Sequence, residues 1–150
     1  MKMFSTIRIC GLFFLLPISQ IAFSQQKQDA ILGVWETPGD DNGRVEIFKT
    51  GNNYHGKIVW LQKPIENGKP RTDENNPDEN LKNHPIIGLH FLKDFVFDGE
   101  DEWNSGTVYD PDNGKTYKCY LKLEEPGKLK VRGYIGFSLL GRTEYWKRVN

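Results

Sequence analysis

The residues of this chain that could perform acid–base chemistry surround one predicted hairpin turn, Pro111-Asp112-Asn113-Gly114. Asp110 precedes the turn and Lys115 follows it, with Tyr109 and Tyr117 just outside them. A carboxylate and an ammonium facing each other across a hairpin can share a proton, as a hydrolase requires. An Asp at the start of a turn more commonly accepts hydrogen bonds from that turn's own backbone. We favour the second interpretation and predict no catalytic residue, with a hydrolase centred on Asp110 and Lys115 as an alternative.

Neither a metal centre nor an activated nucleophile is indicated by the remaining reactive side chains. His55, His84 and His90 lack the short spacing of a zinc site such as H-x-x-x-H. Ser105 and Ser138 do not lie in a nucleophile-elbow motif. We therefore predict no metal and no cofactor.

The acidic stretch DENNPDEN, residues 73–80, offers the oxygen ligands that calcium prefers. Its spacing does not match an EF-hand loop. Asn76 followed by Pro77 is instead typical of a helix start, with Asn76 as the N-cap. We predict a short helix over residues 76–83 inside one long loop, residues 62–88, and leave calcium binding by this loop open.

An apolar tip, Phe137-Ser138-Leu139-Leu140, lies between Gly136 and Gly141. The tip could fold back and plug one end of the domain, or it could form the lip of a pocket or a docking edge, as exposed apolar patches do. Flanking glycines allow the hinge that either arrangement needs. We predict that Phe137, Leu139 and Leu140 form a plug, with part of the tip acting as a lip.

The N-terminal segment has the features of a secretory signal peptide. Lys2 and Arg8 give a basic start, residues 9–16 are apolar but too short to span a bilayer, and Ala22-Phe23-Ser24 fits a cleavage site. We predict a signal peptide over residues 1–24 and a single exported domain over residues 25–150. The protein would be periplasmic or extracellular, with no transmembrane span after signal removal.

Charge and cysteine content exclude several classes of protein. Without Lys2 and Arg8, 18 basic residues face 20 acidic ones, so no basic surface for nucleic acid is indicated. Cys10 would leave with the signal peptide, so Cys119 would have no partner in the chain. Stability must therefore come from an apolar core and not from disulfides.

Short strands separated by turn residues recur along the predicted mature domain, which is typical of an all-β sandwich or barrel. Tyr117, Cys119, Leu121 and Leu123 alternate with polar residues, which indicates an antiparallel sheet with one buried face. Closing such a sheet removes its exposed edges. We predict an up-and-down antiparallel β-barrel of about eight strands, over residues 31–37, 44–50, 54–62, 89–97, 105–110, 115–123, 128–135 and 142–149.

Gly33-Val34-Trp35 near the start and Arg142 or Arg148 near the end resemble the lipocalin-type, or calycin, arrangement. In that family, an arginine from the last strand packs across the tryptophan of the first strand at the closed end of the barrel. A guanidinium stacked on an indole contributes about 0.5–2 kcal/mol and would fix the two strands that must meet. We therefore assign barrel closure to Gly33, Trp35, Arg142 and Arg148.

A wider resemblance extends from Gly33 to Arg148. The segments GVWETP, YHGKIVWL, DENNP, GTVYDPDNGKTYKCYL and KVRGYIGFSLLGRTEYWKR are similar to a secreted bacterial family, domain of unknown function twenty-one forty-seven. This resemblance implies export and a small barrel-like domain. It implies no activity and no catalytic residue.

The combined expectation is a non-catalytic binding module of the cell envelope that takes a small hydrophobic ligand. An eight-stranded barrel has room for its own side chains or for one such ligand. The alternative is a structural or protein-interaction domain with a solid core and an envelope protein as partner. The candidate lining is apolar and aromatic and comprises Trp35, Ile58, Trp60, Phe91, Phe95, Tyr117, Leu121 and Val131.

Overall fold

A computed structural model describes residues 26–150 of the protein. The predicted signal peptide, residues 1–24, lies outside the described residues. Within residues 26–150, no helix has the length and apolar character needed to cross a membrane.

The described residues form ten strands, and eight of these form a closed antiparallel barrel. The strands are β1 (Gly33–Glu36), β2 (Gly43–Thr50), β3 (Asn53–Leu61), β4 (Ile65–Glu66), β5 (Lys69–Pro70), β6 (His90–Phe97), β7 (Glu102–Asp110), β8 (Lys115–Glu125), β9 (Lys128–Tyr134) and β10 (Gly141–Arg148). Around the barrel the order is β1-β10-β9-β8-β7-β6-β3-β2, and β4 pairs only with β5. The predicted eight-stranded up-and-down barrel is confirmed.

The alternation predicted for β8 explains why this segment forms a barrel wall. Strand β8 lies between β7 and β9 in the barrel wall. Its residues Cys119 and Leu121 are buried, whereas Lys118 is exposed. Successive side chains of a strand point to opposite faces of the sheet. The face with the apolar side chains is therefore buried inside the barrel, and the face with the charged side chains stays in water.

The predicted helix over residues 76–83 is wrong, because this part of the long loop forms consecutive turns. The Leu81 N–H donates to the Asp78 carbonyl and the His84 N–H donates to the Leu81 carbonyl, both at 2.9 Å. The side chain of Asp78 accepts a hydrogen bond from the Asn80 N–H at 3.0 Å. Such local side-chain bonds compete with helical hydrogen bonding and favour turns. The same loop also contains the β4–β5 hairpin, which the sequence analysis did not identify.

One end of the barrel is closed by the segment that precedes β1. A short 3-10 helix, Asp29–Ile31, lies there, and Ile31 is fully buried. The indole N–H of Trp35 donates to the Ile31 carbonyl at 2.8 Å, and the indole N–H of Trp103 donates to the Gln28 carbonyl at 3.0 Å. The Tyr54 hydroxyl donates to Asp29 Oδ1 at 2.6 Å. Ile31 therefore plugs the end of the barrel at which Trp35 and Tyr54 lie, which is opposite the end that carries the β9–β10 hairpin.

Arg148 joins the last strand to this closed end. Its Cζ lies 4.3 Å from the ring centroid of Trp35, and Nη1 donates to the Leu32 carbonyl at 2.8 Å. Nη2 donates to the Ala30 carbonyl. Partial burial lowers the pKa of the Arg148 guanidinium. Gly33 has φ 120°, and a Cβ there would lie 3.1 Å from Nη1, so only glycine leaves room for this contact without strain.

Arg142 takes no part in this closure, which corrects the predicted set of four residues. It lies at the start of β10, at the opposite end of the barrel, and its side chain is 86% exposed. Because β10 is extended, residues 142 and 148 of one strand cannot reach the same barrel end.

Replacing Arg148 by Ala should lower the free energy of unfolding by about 2–4 kcal/mol, because it removes charged hydrogen bonds and an indole contact. The matched control, Arg142→Ala, should change it by less than about 0.5 kcal/mol. Denaturant unfolding monitored by fluorescence measures both values. Equal losses in the two variants would contradict the assignment of closure to Arg148.

Candidate functional site

A cavity of about 690 Å³ opens at the barrel end opposite Arg148. Its mouth is formed by the β1–β2 loop, the β7–β8 turn and the β9–β10 hairpin. These three connections share one end because neighbouring antiparallel strands place alternate turns at the same end.

The floor of the cavity is apolar. Val45, Ile58 and Val131 project from three strands and are nearly fully buried. Phe91 and Trp146 stack beside them, with ring centroids 6.2 Å apart. The indole N–H of Trp146 donates to a Glu144 carboxylate oxygen at 3.0 Å, so this buried ring leaves no unsatisfied donor. This floor can remove an apolar molecule from water.

The rim of the cavity is polar. Asp41 pairs with Arg71, Nη1 to Oδ2, at 2.9 Å, and Arg142 pairs with Glu144 at 3.1 Å. Tyr134, at the end of β9, also lines the rim. Asp41 and Glu144 thus have arginine partners close by, and the mouth carries mixed charge.

Asp110 lies on this rim and caps its own turn. Oδ1 accepts the Asp112 N–H at 3.0 Å, and Oδ2 accepts from Asn113 Nδ2 at 2.9 Å. The described residues show no ion pair between Asp110 and Lys115, although the two are register partners in β7 and β8. A carboxylate already occupied by backbone and amide donors is a poor general base for a substrate.

A buried carboxylate that the sequence analysis missed lies next to the cavity. Asp73 is 1% exposed and accepts hydrogen bonds from the Tyr109 hydroxyl and from Asn76 Nδ2, both at 2.7 Å. Burial, followed by the hydrogen bond to Asp73, raises the pKa of Tyr109 to about 12. Asp73 is the first residue of the DENNP motif. Its partner Tyr109 lies 36 residues further along the chain, so the local sequence could not reveal this hydrogen bond.

The same loop contacts the β7–β8 turn through Asn75. Nδ2 donates to the Pro111 and Asp112 carbonyls at 3.2 and 3.0 Å. Gly114 has φ 71°, and a Cβ there would overlap the Asn75 carbonyl oxygen, so the approach requires glycine. The long loop is therefore attached to the wall of the mouth at several points.

Hydrogen bonds within the protein occupy the Asp73 and Asp78 oxygens of the stretch that suggested calcium. Asp73 accepts from Tyr109 and Asn76, and Asp78 accepts from Asn80. Within the described range 26–150, no group of three or more His, Cys, Asp or Glu side chains is arranged to hold a metal ion.

The predicted lining residues separate into three groups in the structure. Four of them line the cavity, namely Ile58, Phe91, Tyr117 and Val131. Trp35, Phe95 and Leu121 are fully buried in the packed core and do not reach the cavity.

Trp60 forms the third group, because it lies on the outer face of the barrel. It is 39% exposed, and Arg44 Cζ lies 4.9 Å from its ring centroid. The register between β2 and β3 shifts at this point. Arg44 lies opposite Trp60, but the next residue of β2, Val45, lies opposite Ile58, so Val59 is the extra residue on β3. This bulge inserts one residue and reverses the alternation, so that Leu61 is buried and Trp60 faces outward.

The predicted plug at the β9–β10 tip is not formed. Phe137 is 66% exposed, Leu139 is 84% exposed and Leu140 is 62% exposed. Of these three, Leu140 lines the cavity mouth, together with Ile135. The hairpin closes on itself instead, because the Ile135 N–H donates to the Leu140 carbonyl at 3.0 Å.

Comparison with known proteins gives a family and a fold. The sequence model of the family described as "Uncharacterized protein conserved in bacteria (DUF2147)" matches residues 33–148. A solved structure, protein HP1028 from Helicobacter pylori, described as belonging to the lipocalin family, matches with a TM-score of 0.72 and 22% identity. The match covers 80% of this chain and 83% of that chain, and at this identity it shows a lipocalin-like fold alone. No curated protein matched the chain.

Replacing Tyr109 by Phe should lower the free energy of unfolding by about 1–3 kcal/mol, because buried Asp73 loses one of its two side-chain donors. The matched control is Tyr117→Phe, whose hydroxyl meets the exposed Asn113 amide at 3.0 Å. That control should cost less than about 0.5 kcal/mol. Comparable losses in denaturant unfolding would contradict a structural role for the Tyr109–Asp73 bond.

The Tyr109 hydroxyl should also make stability depend on pH at the alkaline end. Its folded pKa of about 12 is above the ordinary value of 10.0, so the unfolded chain releases this proton first. The stabilisation is therefore fully present below pH 10 and is lost as the pH rises towards about 12. The difference in unfolding free energy between the wild type and Tyr109→Phe should shrink across that window. A difference that stays constant with pH would contradict the raised pKa.

Proposed function

The chain belongs to the DUF2147 family of bacterial proteins, and we propose that its barrel binds a small apolar ligand without catalysing a reaction on it. The observation that carries this proposal is the cavity of about 690 Å³ with an apolar floor and a polar rim. Sites for small molecules typically have volumes of about 300–1,000 Å³ and combine apolar walls with a few polar groups.

The chemistry of the walls narrows the class of ligand. Val45, Ile58 and Val131 offer only apolar atoms, and Phe91 with Trp146 offers aromatic area. Most polar groups lie at the rim, and the Glu144 carboxylate also reaches the floor, where it accepts the Trp146 indole N–H. These features favour a ligand with an apolar body inside the barrel and a polar end at the mouth.

Binding without catalysis is supported by the hydrogen bonding of the polar groups nearest the cavity. Both carboxylate oxygens of Asp110 accept hydrogen bonds within their own turn. The Tyr109 hydroxyl already donates its proton to Asp73, and its pKa is raised to about 12 by burial and by that hydrogen bond. Neither group is free to act as a base.

Native mass spectrometry of protein purified from its own host tests ligand binding. The wild type should carry a small apolar molecule. Val131→Phe, which fills the floor of the cavity, should lose most of it. The matched control, Val96→Phe, changes a residue that is 43% exposed and absent from the cavity wall, and it should retain the ligand. Ligand-free wild type, or equal occupancy in the two variants, would contradict the proposal.

Export through a cleaved signal peptide is the second part of the proposal. It is supported by Lys2, Arg8, the apolar residues 9–16 and the Ala22-Phe23-Ser24 sequence. The mass of the protein recovered from the host envelope should correspond to a chain that begins at Gln25. A recovered chain that still contains Met1 would contradict cleavage.

A further inference from the structure

The hairpin between β9 and β10 carries the most exposed large apolar side chains among the described residues. We call Ile135, Phe137, Leu139 and Leu140 the apolar tip; their exposed fractions lie between 62% and 84%. Single exposed apolar residues are ordinary on a protein surface, but a group on one protruding hairpin marks an interaction site.

Four backbone carbonyl groups of the hairpin that carries the apolar tip accept hydrogen bonds from within the protein. Arg132 Nε donates to the Ser138 carbonyl at 2.7 Å, and Arg132 Nη2 donates to the Leu139 carbonyl at 3.3 Å. The Phe137 and Leu140 carbonyls accept backbone N–H groups of the same hairpin. These four carbonyls can therefore leave water without the cost of an unsatisfied acceptor in lipid.

The barrel wall below the apolar tip is basic and aromatic on its outer side. The register places Lys118 beside Tyr134, Tyr120 beside Arg132, and Lys130 beside Tyr145. We call these six residues the basic–aromatic face. These six residues include no carboxylate, and Glu124, further along β8 towards the closed end, pairs with Lys128 at 3.0 Å. Tyrosines and basic side chains are the residues that prefer the headgroup region of a bilayer.

We propose that the apolar tip and the basic–aromatic face dock the protein on an anionic lipid surface. The tip enters the acyl region, and Lys118 and Lys130 meet the headgroup phosphates. The apolar tip protrudes, so it fits insertion into lipid better than it fits a flat protein partner. Ile135 and Leu140 also line the cavity mouth, so docking brings the mouth to the lipid. This proposal goes beyond ligand binding and does not rest on it.

Sedimentation with lipid vesicles tests the docking. Wild-type protein should bind vesicles of phosphatidylethanolamine and phosphatidylglycerol, and bind vesicles of phosphatidylcholine alone more weakly. The variant Phe137→Ser/Leu139→Ser/Leu140→Ser should bind at least about tenfold more weakly, because buried methylene groups drive insertion. The matched control Ile65→Ser/Ile87→Ser/Val96→Ser removes three exposed apolar residues elsewhere and should bind like the wild type.

The charge contribution is tested separately with Lys118→Gln and Lys130→Gln, which leave the Arg132 bonds to the tip intact. Each should weaken binding to the anionic vesicles by about fivefold at low salt and by less at high salt. Lys147→Gln, on the same strand pair but at the closed end, is the control and should have little effect.

A probe on the tip reports insertion directly. An environment-sensitive dye on Ser138→Cys should shift to shorter emission wavelengths when anionic vesicles are added. Cys119 should not take up the dye, because it is 1% exposed and burial raises the pKa of its thiol to about 12. Failure of the wild type to bind vesicles, or equal binding by the tip variant and its control, would overturn the proposal. Capture of an envelope protein without vesicle binding would overturn it as well.

Discussion

The contact between Arg148 and the segment before β1 is the constraint on which the rest of the barrel depends. A closed barrel requires its first and last strands to pair, yet β1 and β10 share only two register pairs, Trp35 with Arg148 and Glu36 with Lys147. The β9–β10 pair, in contrast, has seven. The guanidinium compensates for this short joint, because it stacks on Trp35 and donates to the carbonyls of Ala30 and Leu32.

Closure at one end also explains why a cavity can exist at the other. Large side chains fill the half of the barrel near Arg148, where Trp35, Tyr54, Phe95 and Trp103 are almost completely buried. Smaller residues, such as Val45, Val131 and Gly133, line the half near the mouth. The packed half therefore contains the largest buried side chains, and the other half contains the cavity. The Tyr109–Asp73 bond and the Asn75 contacts attach the long loop to the mouth and stiffen its wall.

Sequence patterns predicted the parts of this structure that depend on neighbouring residues. The alternation around Cys119 identified a barrel strand, and the glycine and proline positions identified the turns between strands. The Asn67-Gly68 pair, a strong signal for a tight hairpin, was present but was not recognised as the β4–β5 turn. Local signals therefore predicted the eight barrel strands, but not the β4–β5 hairpin or the turns over residues 76–83.

Features that depend on contacts between distant segments could not be predicted in the same way. The bulge at Trp60 is visible only in the pairing of β3 with β2, and it reverses the expected direction of that side chain. Asp73 became a buried hydrogen-bond acceptor only because the loop meets Tyr109. The apolar tip was expected to cover a barrel end, but Ile31 already fills one end and Arg132 holds the tip outside the other.

The central claim is that the barrel is packed at the Arg148 end and hollow at the other. A crystal of the wild-type protein exposed to xenon gas tests it most directly, because xenon enters apolar cavities that exclude water. We predict xenon density against Val45, Ile58 and Val131, and none between Trp35 and Phe95. Xenon at the Arg148 end, or no xenon in the barrel at all, would contradict it.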